Sequence, residues 1–486
     1  MIDIQFIRDN ADLVAVKAAQ KGYPVDVFRL LELDKARIEQ LQKVEILRTR
    51  RNEISSSMKG SKPAPELVEE GKELKIELAD LELKLESIES DWLLLLKSVP
   101  NMPTDDVPVG SSEDENVVAK TVGEPTKFDF APLSHVELGA KWDLIDKERA
   151  AKIAGSRFTY IKGGLVRMQF AIMNWVAQTL SDEEFIATIV KENNLNISTK
   201  PFIPILPPPM IRTDVYEQTA RLNGAEVTYK LEDDDLWLNA SAEHSLCGMY
   251  KDETLPEDQF PIRYIGYATS FRREAGTYGK DMEGILRLHH FDKLEMEIFS
   301  TPETSFDEHM LCIAIEEYFM QQLGIPYRVL QKCTYDIGKP NARGVDIESW
   351  LPGQDAYRET HSADLITDYQ TRRLKTRVKR KNGDIDFVHT NDATVFAFSR
   401  ILIAIIENYQ NADASITIPE VLRPFMNNKD RIPDLSKTAM SPGSARPDKN
   451  SFSSVTVSKD TSPADKTIFI SAESDPDSQA ISLKVE

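Results

Sequence analysis

Arginines, an aromatic ring and two carboxylates crowd into one short stretch, FRREAGTYGKDMEGILRLHHFDKLEME, Phe271 to Glu297. It opens on Arg272-x-Glu274, passes through a polar loop with Gly276, Gly279 and Gly284, and closes on Arg287, Phe291 and Glu295 at four-residue steps. A guanidinium is a fixed cation with a planar fork that fits phosphate oxygens. An aromatic beside such cations can stack on a purine while they hold its phosphates. Glu295 is then placed to accept hydrogen bonds from an ammonium group. The reading puts Arg272 at the opening of a strand before the loop. It puts Arg287, Phe291 and Glu295 on one face of the returning strand.

Three further segments carry matching chemistry. LNASAEHSL, 238–246, sets Ser241 and Glu243 two apart, the spacing of one strand face. YRETHSADLITDYQTRR, 357–373, offers Glu359 and Ser362. HTNDATVFAFSRILIAIIENYQ, 389–410, ends a loop with Thr394 and puts Arg400 at the opening of an apolar helix. An arginine beside Phe398, Ile401 and Leu402 calls for an anionic partner. Asp346 and Glu348 alternate on a strand ahead of Trp350, and carboxylates near a triphosphate are candidate Mg²⁺ ligands. Neither a GxxxxGK[ST] loop nor a GxGxxG after a strand is present, so a nucleotide would not be held at a helix N-terminus in the P-loop manner. The bland counter-reading is a charged hairpin with one core Phe.

Elements must position these groups. Residues 26–59 and 66–98 read as two long helices. In the second, Leu74, Leu78, Leu81, Leu85, Ile88 and Trp92 recur at alternating steps of four and three, a coiled-coil seam. Gly60, Pro63 and Pro65 force a turn between them, so the helices lie antiparallel as an arm roughly 50 Å long. Lys43, Arg48, Arg50, Arg51, Lys59 and Lys62 face only Glu45 and Glu53 near the tip, a basic patch suited to a phosphate backbone. The plainer alternatives are a dimerising coiled coil and cross-hairpin ion pairs with the acidic returning helix. A Pro- and acid-rich linker is expected over 100–116. From Val117 to about Met426, strand-like runs (WLNA, IRYIGYAT, ILRLHHFDKLEMEIF) alternate with helical stretches at 164–180, 305–323 and 394–410, which points to an α+β antiparallel sheet with flanking helices. Residues 431–486, rich in Ser, Asp, Lys and Pro, read as a disordered tail.

The whole chain, 486 residues long and 28% charged with a net charge of −20, excludes a basic coat for nonspecific nucleic-acid binding but leaves room for a local basic patch. Three scattered cysteines, Cys247, Cys312 and Cys333, form no pairing or zinc pattern, which fits a reducing cytoplasm. No apolar run approaches the ~18 to 20 residues of a membrane span, and MIDIQFIRDN lacks a signal pattern.

At this point the residues carry a family resemblance. FRREAGTYGKD…GILRLHHFDKLEM resembles motif 2 of the class II aminoacyl-tRNA synthetases in its seryl-tRNA synthetase version, bacterial type. DIQFIRDNADLV, PNMPTDDVPVG, GSRFTYIKGGLVRMQFA and ENYQ…IPEVLRPFM extend the likeness over about 1–430. The resemblance implies an N-terminal tRNA-binding domain over 1–105, a class II antiparallel sheet domain over 117–430, and an unmatched tail over 431–486. It implies activation of L-serine with ATP and Mg²⁺, then transfer to the tRNA for serine, with the selenocysteine tRNA as a second candidate. A homodimer through the catalytic domain, with Pro208 at its interface, is also implied. Serine would lie among Ser241, Ala242, Glu243, Arg272, Glu295 and Thr394. ATP would meet Arg272, Arg273, Glu274, Arg287, Phe291, Glu359, Thr360, His361, Ser362 and Arg400, and the metal Glu359 and Ser362. Arg48, Arg50, Arg51 and Lys59 would meet tRNA.

The chain also departs from the family pattern. HTLNGSGLAVGR is replaced by HTNDATVFAFSR, which brings Asp392 for Asn and Ala393, Val395 and Ser399 for glycines. GTGQLP becomes EQTARL at 217–222, and 192–204 reads as an insertion. Glycine admits a close ligand, so side chains at 393, 395 and 399 are expected to narrow the nucleotide side. The alternative reading is a catalytically weakened paralogue that binds tRNA or an adenylate. A carrier-protein-charging relative is disfavoured by the long arm.

Overall fold

A computed structural model describes residues 1–58, 64–222, 227–274 and 284–433. The described residues belong to one compact unit, Met1–Pro433. Most of the expected tail lies outside them; Arg431–Ile432, by contrast, pair with Ile416–Thr417, and Ile432 is buried.

Two short helices, α1 (Ile4–Asp9) and α2 (Ala11–Gln20), precede the arm helices α3 (Val27–Ser57) and α4 (Pro65–Ser98). Pro65 sits in the first turn of α4, where its missing N–H costs nothing. Val44, Leu78 and Leu85 bury the seam between the helices. Gln40 donates across it to the Leu81 carbonyl at 3.1 Å. The arm is rooted, not loosely tethered: Leu30, Leu96 and Val99 share a core with Ile366 and Tyr369.

The expected linker is docked along the globular domain. Asn101 and Val107 are buried, and the Asn101 amide donates to Pro340 and Ile366 carbonyls at 2.9 and 2.7 Å. Lys21 fastens the same junction. Its buried ammonium donates to the carbonyls of Asn101, Gly338, Lys339 and Asn341, which replace its hydration.

The centre is an eight-stranded sheet built from β1 (Val117–Val122), β2 (Ile203–Ile205), β3 (Ile262–Phe271), β4 (His290–Ser300), β5 (Tyr327–Gln331), β6 (Arg343–Leu351), β7 (Ala356–Thr367) and β8 (His389–Ala397). Their order is β1-β5-β6-β7-β8-β4-β3-β2. Every pairing is antiparallel except β2 with β3. The α+β reading holds. Helices α5 (Gly164–Leu180), α7 (Ser305–Leu323) and α8 (Phe398–Asn408) contribute to the main apolar core, with α6 (Ala242–Cys247) packed on β3 and β4. Alternation divides the strands. Leu294, Met296 and Ile298 of β4, Ala363 and Leu365 of β7, and Ala393 and Val395 of β8 enter that core, which leaves the intervening residues for the other face.

Several local expectations change. The segment 389–397 is a central strand, not a loop, and the helix after it begins at Phe398. Ser241 and Glu243 do not share a strand face: Ser241 precedes α6 and Glu243 lies in its first turn. Arg272 follows the end of β3, and Arg287 lies ahead of β4. In each case the pairing partner, absent from the local sequence, decides where a strand stops.

Candidate active site

One polar pocket gathers Arg221, Glu243, Arg272, Glu274, Arg287, Phe291, Lys293, Glu359, Thr360, Ser362, Asp364, Thr394, Ser399 and Arg400. Sheet register brings these distant segments together. Thr394 of β8 lies directly opposite Glu295 of β4, and Glu295 opposite Gly266 of β3. Gly266 also explains the approach of α6. A Cβ there would come within 2.6 Å of Leu246 and 3.3 Å of Ala242. Without it the helix packs close and delivers Ser241, whose hydroxyl donates to Glu295 Oε1 at 2.7 Å.

Two bulges correct the strand parity. In β7 the register steps from Ile347↔His361 to Glu348↔Glu359, so Thr360 is the extra residue. Glu359 and Ser362, three apart, thereby reach the same pocket. In β8 the step from Thr394↔Glu295 to Phe396↔Leu294 makes Val395 the extra residue, which places both Thr394 and Ala397 on the pocket wall. Ala393 and Val395 point into the apolar core, so the expected narrowing reduces to Ser399, which does line the pocket.

Most of the cations are matched by carboxylates. Arg287 Nε pairs with Glu274 at 2.6 Å. Arg400 contacts Glu359 Oε2 at 3.0 Å and donates to its carbonyl at 2.9 Å. Desolvation pushes the Glu359 carboxyl upward, and the Arg400 and Lys332 charges outweigh it and bring it down to about 2. Lys293 pairs with Glu295. Arg272 differs: it donates to the Ala240 carbonyl at 3.1 Å and lies 5.3 Å from the Phe291 ring centre.

Glu295 is fully buried, and burial raises its carboxyl above the usual range despite Lys293. Its Oε2 has no hydrogen-bond partner. Neither Glu295 nor Ser241 lines the pocket itself, but Glu295 lies directly opposite the pocket-lining Thr394 in the sheet, and a buried acceptor without a partner is a place for a donor to arrive.

The pocket does not collect every expected residue. Arg273 turns away, donating to the Thr228 carbonyl at 3.3 Å over the Tyr229 ring. His361 packs on Phe396, and Ala242 is buried in α6. Glu348 pairs with Arg328, and Asp346 lies 3.5 Å from Lys332, so neither lines the pocket. Arg48 and Arg50 are engaged across the hairpin, with Glu82 at 2.8 Å and Glu70 at 2.7 Å. Lys59 lies outside the described residues. Sequence reasoning missed Arg221, Lys293 and Asp364. Lys293 was findable, two residues from both Phe291 and Glu295 on one strand face; Arg221 has no such local signal.

Among the described residues, no group of three or more His, Cys, Asp or Glu is arranged to hold a metal ion. Glu359 and Ser362 offer one carboxylate and one hydroxyl. That donor set suits Mg²⁺, which takes few protein ligands when phosphates and water supply the rest. No helix among them is long and apolar enough to cross a membrane.

Comparison with known proteins shows the family. Residues 1–103 match the seryl-tRNA synthetase N-terminal domain, and residues 228–409 the class II tRNA synthetase core domain (G, H, P, S and T). A serine–tRNA ligase from Nitrosopumilus maritimus is 36% identical over 89% of this chain and 100% of its own length. One from Thermodesulfovibrio yellowstonii is 37% identical over 88% and 99%. The crystal structure of seryl-tRNA synthetase from Pyrococcus horikoshii complexed with ATP superposes with a TM-score of 0.78 at 33% identity, covering 89% of this chain and 99% of that one.

Proposed function

The chain belongs to the seryl-tRNA synthetase family and is an ATP-dependent serine–tRNA ligase, and on that premise we propose how its pocket divides the two substrates. The open Oε2 of Glu295 carries the proposal: it takes the ammonium of serine. Thr394, opposite it in the sheet, and Glu243 meet the side-chain hydroxyl. Adenine stacks on Phe291. Arg272 spans the α-phosphate and the serine carboxylate, and Arg287 and Arg400 hold the outer phosphates.

The serine carboxylate attacks the α-phosphorus, the bond to the bridging oxygen breaks, and its electron pair leaves with pyrophosphate. The charge developing on that leaving group meets Arg287 and Arg400, which must exchange Glu274 and Glu359 for phosphate. Release of Glu359 frees its carboxylate, with Ser362, to hold Mg²⁺, which would neutralise phosphate charge when bound. No side chain needs to move a proton in this step, so positioning supplies most of the rate. The terminal ribose hydroxyl of tRNA then attacks the carbonyl carbon of the adenylate, and AMP departs.

The arm contacts tRNA by shape and backbone, with Arg51 near its tip and Arg48 and Arg50 released from their acidic partners. A second copy of the chain covers exposed Ile203 and Leu206 beside the edge strand β2, close to Pro208. The weakened-paralogue reading loses part of its support, because Ala393 and Val395 lie in the core. The test is charging of tRNA with each amino acid in turn. Serine alone should be esterified; charging with another amino acid, or with none, would refute the assignment.

A further inference from the structure

Arg221 enters the pocket from a segment with no part in the family's site as described above. Ala220 adopts a positive φ of 59°, and Thr219 is pinned by its hydroxyl on the Tyr216 carbonyl and by Gln370 on its own carbonyl, at 2.7 and 2.9 Å. The Arg221 side chain, 16% exposed, meets Asp392 at 2.6 Å, Glu243 at 3.5 Å and Asp364 at 3.7 Å. Its Nε–H has no hydrogen-bond acceptor.

The surroundings make that cation necessary. Asp364, Asp392 and Glu297 occupy directly paired positions on β7, β8 and β4, so three carboxylates cross the sheet in one row. Like charges in opposite positions repel. Glu297 has no hydrogen-bond partner at either oxygen, and Asp392 is buried. Among the described residues, Arg221 is the cation in contact with two members of the row and with Glu243. It lies within EQTARL, and Asp392 stands where the family pattern has Asn. Two departures separated by 171 positions therefore meet as an ion pair.

We propose that Arg221, clamped by Asp392, is a specificity-determining positioning residue that fixes the Glu243 carboxylate at the end of the pocket where the substrate's hydroxyl is read. The inference rests on the assignment of Glu243 and Thr394 to that hydroxyl. Asp392 acts only through Arg221: it fills one side of the fork and aims the other at Glu243. The Arg221 charge also works against the desolvation of Glu243, whose carboxyl lies well below its usual range. An ionised Glu243 accepts a hydrogen bond from a serine hydroxyl and gains nothing from alanine.

The experiment is serine-dependent ATP–pyrophosphate exchange by R221Q, D392N and the double variant, with KM measured separately for serine and ATP. R221Q should raise the serine KM about 10- to 100-fold, the range of losing the hydrogen bond from the serine hydroxyl to the charged Glu243, and leave the ATP KM within about twofold. D392N should act in the same direction. The double variant should match R221Q alone, because a clamp has no effect once its guanidinium is gone. Preference for serine over alanine should fall in all three. Multiplying effects, or an ATP KM that rises with the serine KM, would overturn the proposal and leave a scaffold role only. Should R221Q fail to fold, the isosteric D392N gives the same reading: a rise in serine KM alone supports the clamp, and no rise refutes it. A native enzyme without serine-dependent exchange would instead sink the assignment of the pocket itself, and the clamp with it. An active native enzyme with uncoupled variants would sink the clamp alone.

Discussion

Glu295 holds Ser241 and Lys293 on one side and leaves an acceptor open on the other. Removing a fully buried partner of an ammonium should cost about 3 to 5 kcal/mol of serine activation. Glu295→Ala should therefore lower kcat/KM for serine and leave ATP binding nearly unchanged; equal loss for both substrates would contradict the assignment. The raised carboxyl gives a pH dependence with a definite sign. An ammonium is held by the ionised form, so kcat/KM for serine should fall as pH drops through the raised pKa. That limb should lie above the ordinary carboxylate range and vanish in Glu295→Gln. Thr394→Val tests the hydroxyl. Helix α8 starts at Phe398 with Ala397 at its cap, so Thr394 is no helix cap. The substitution should erode serine-over-alanine preference with little change in melting temperature, and an unchanged ratio would remove Thr394 from the substrate. At this scale the charged groups were legible because phosphate and ammonium demand particular residue types. Arg221 was not, because its meaning depends on Asp392, far away in the chain.

Elements set the geometry those residues need, and here the sequence was informative unevenly. The arm was readable because its seam repeats over many turns and Pro65 marks a start. The segment 389–397 misled because both of its faces are buried, which erases the apolar–polar alternation of a half-exposed strand. The bulges at Thr360 and Val395 were invisible because register belongs to the pair of strands, not to either one. Gly284 links an element to the site in a testable way. Its φ is +69°, and a Cβ there would fall 1.7 Å from His135 Nε2. His135 is itself held by Glu407 at 2.7 Å and receives the Ile285 N–H. Gly284→Ala must displace this buried ring, at about 1 to 3 kcal/mol. Because Arg287 lies three residues on, the variant should also raise the KM for ATP more than that for serine. Thermal unfolding and separate KM values check both halves; a native melting temperature would contradict the packing.

The whole molecule joins a rooted arm to a catalytic sheet, and the join alters how the arm can be tested. Its base shares the core of Ile366 and Tyr369, so removing the entire arm would open that core. The distal part is separable, since Gln40 and Leu81 already meet across the hairpin. Replacing 43–79 by a short Gly-Ser turn should preserve adenylate formation and abolish tRNA charging; parallel loss of both would argue against a modular arm. The acidic balance of the chain did not hide this design, because a net charge says nothing about where opposite charges cluster. The docking of 100–116 was hidden, since Pro-rich acidic segments read as linkers and Asn101 reveals its role only when buried against Pro340 and Ile366 carbonyls. The central claim is that this pocket joins serine to AMP at the expense of ATP. Its most direct measurement is pyrophosphate exchange into ATP by the full chain, with and without L-serine. The account predicts exchange that depends on serine, needs no tRNA and is lost in Glu295→Ala. Folded protein that shows no serine-dependent exchange would contradict it.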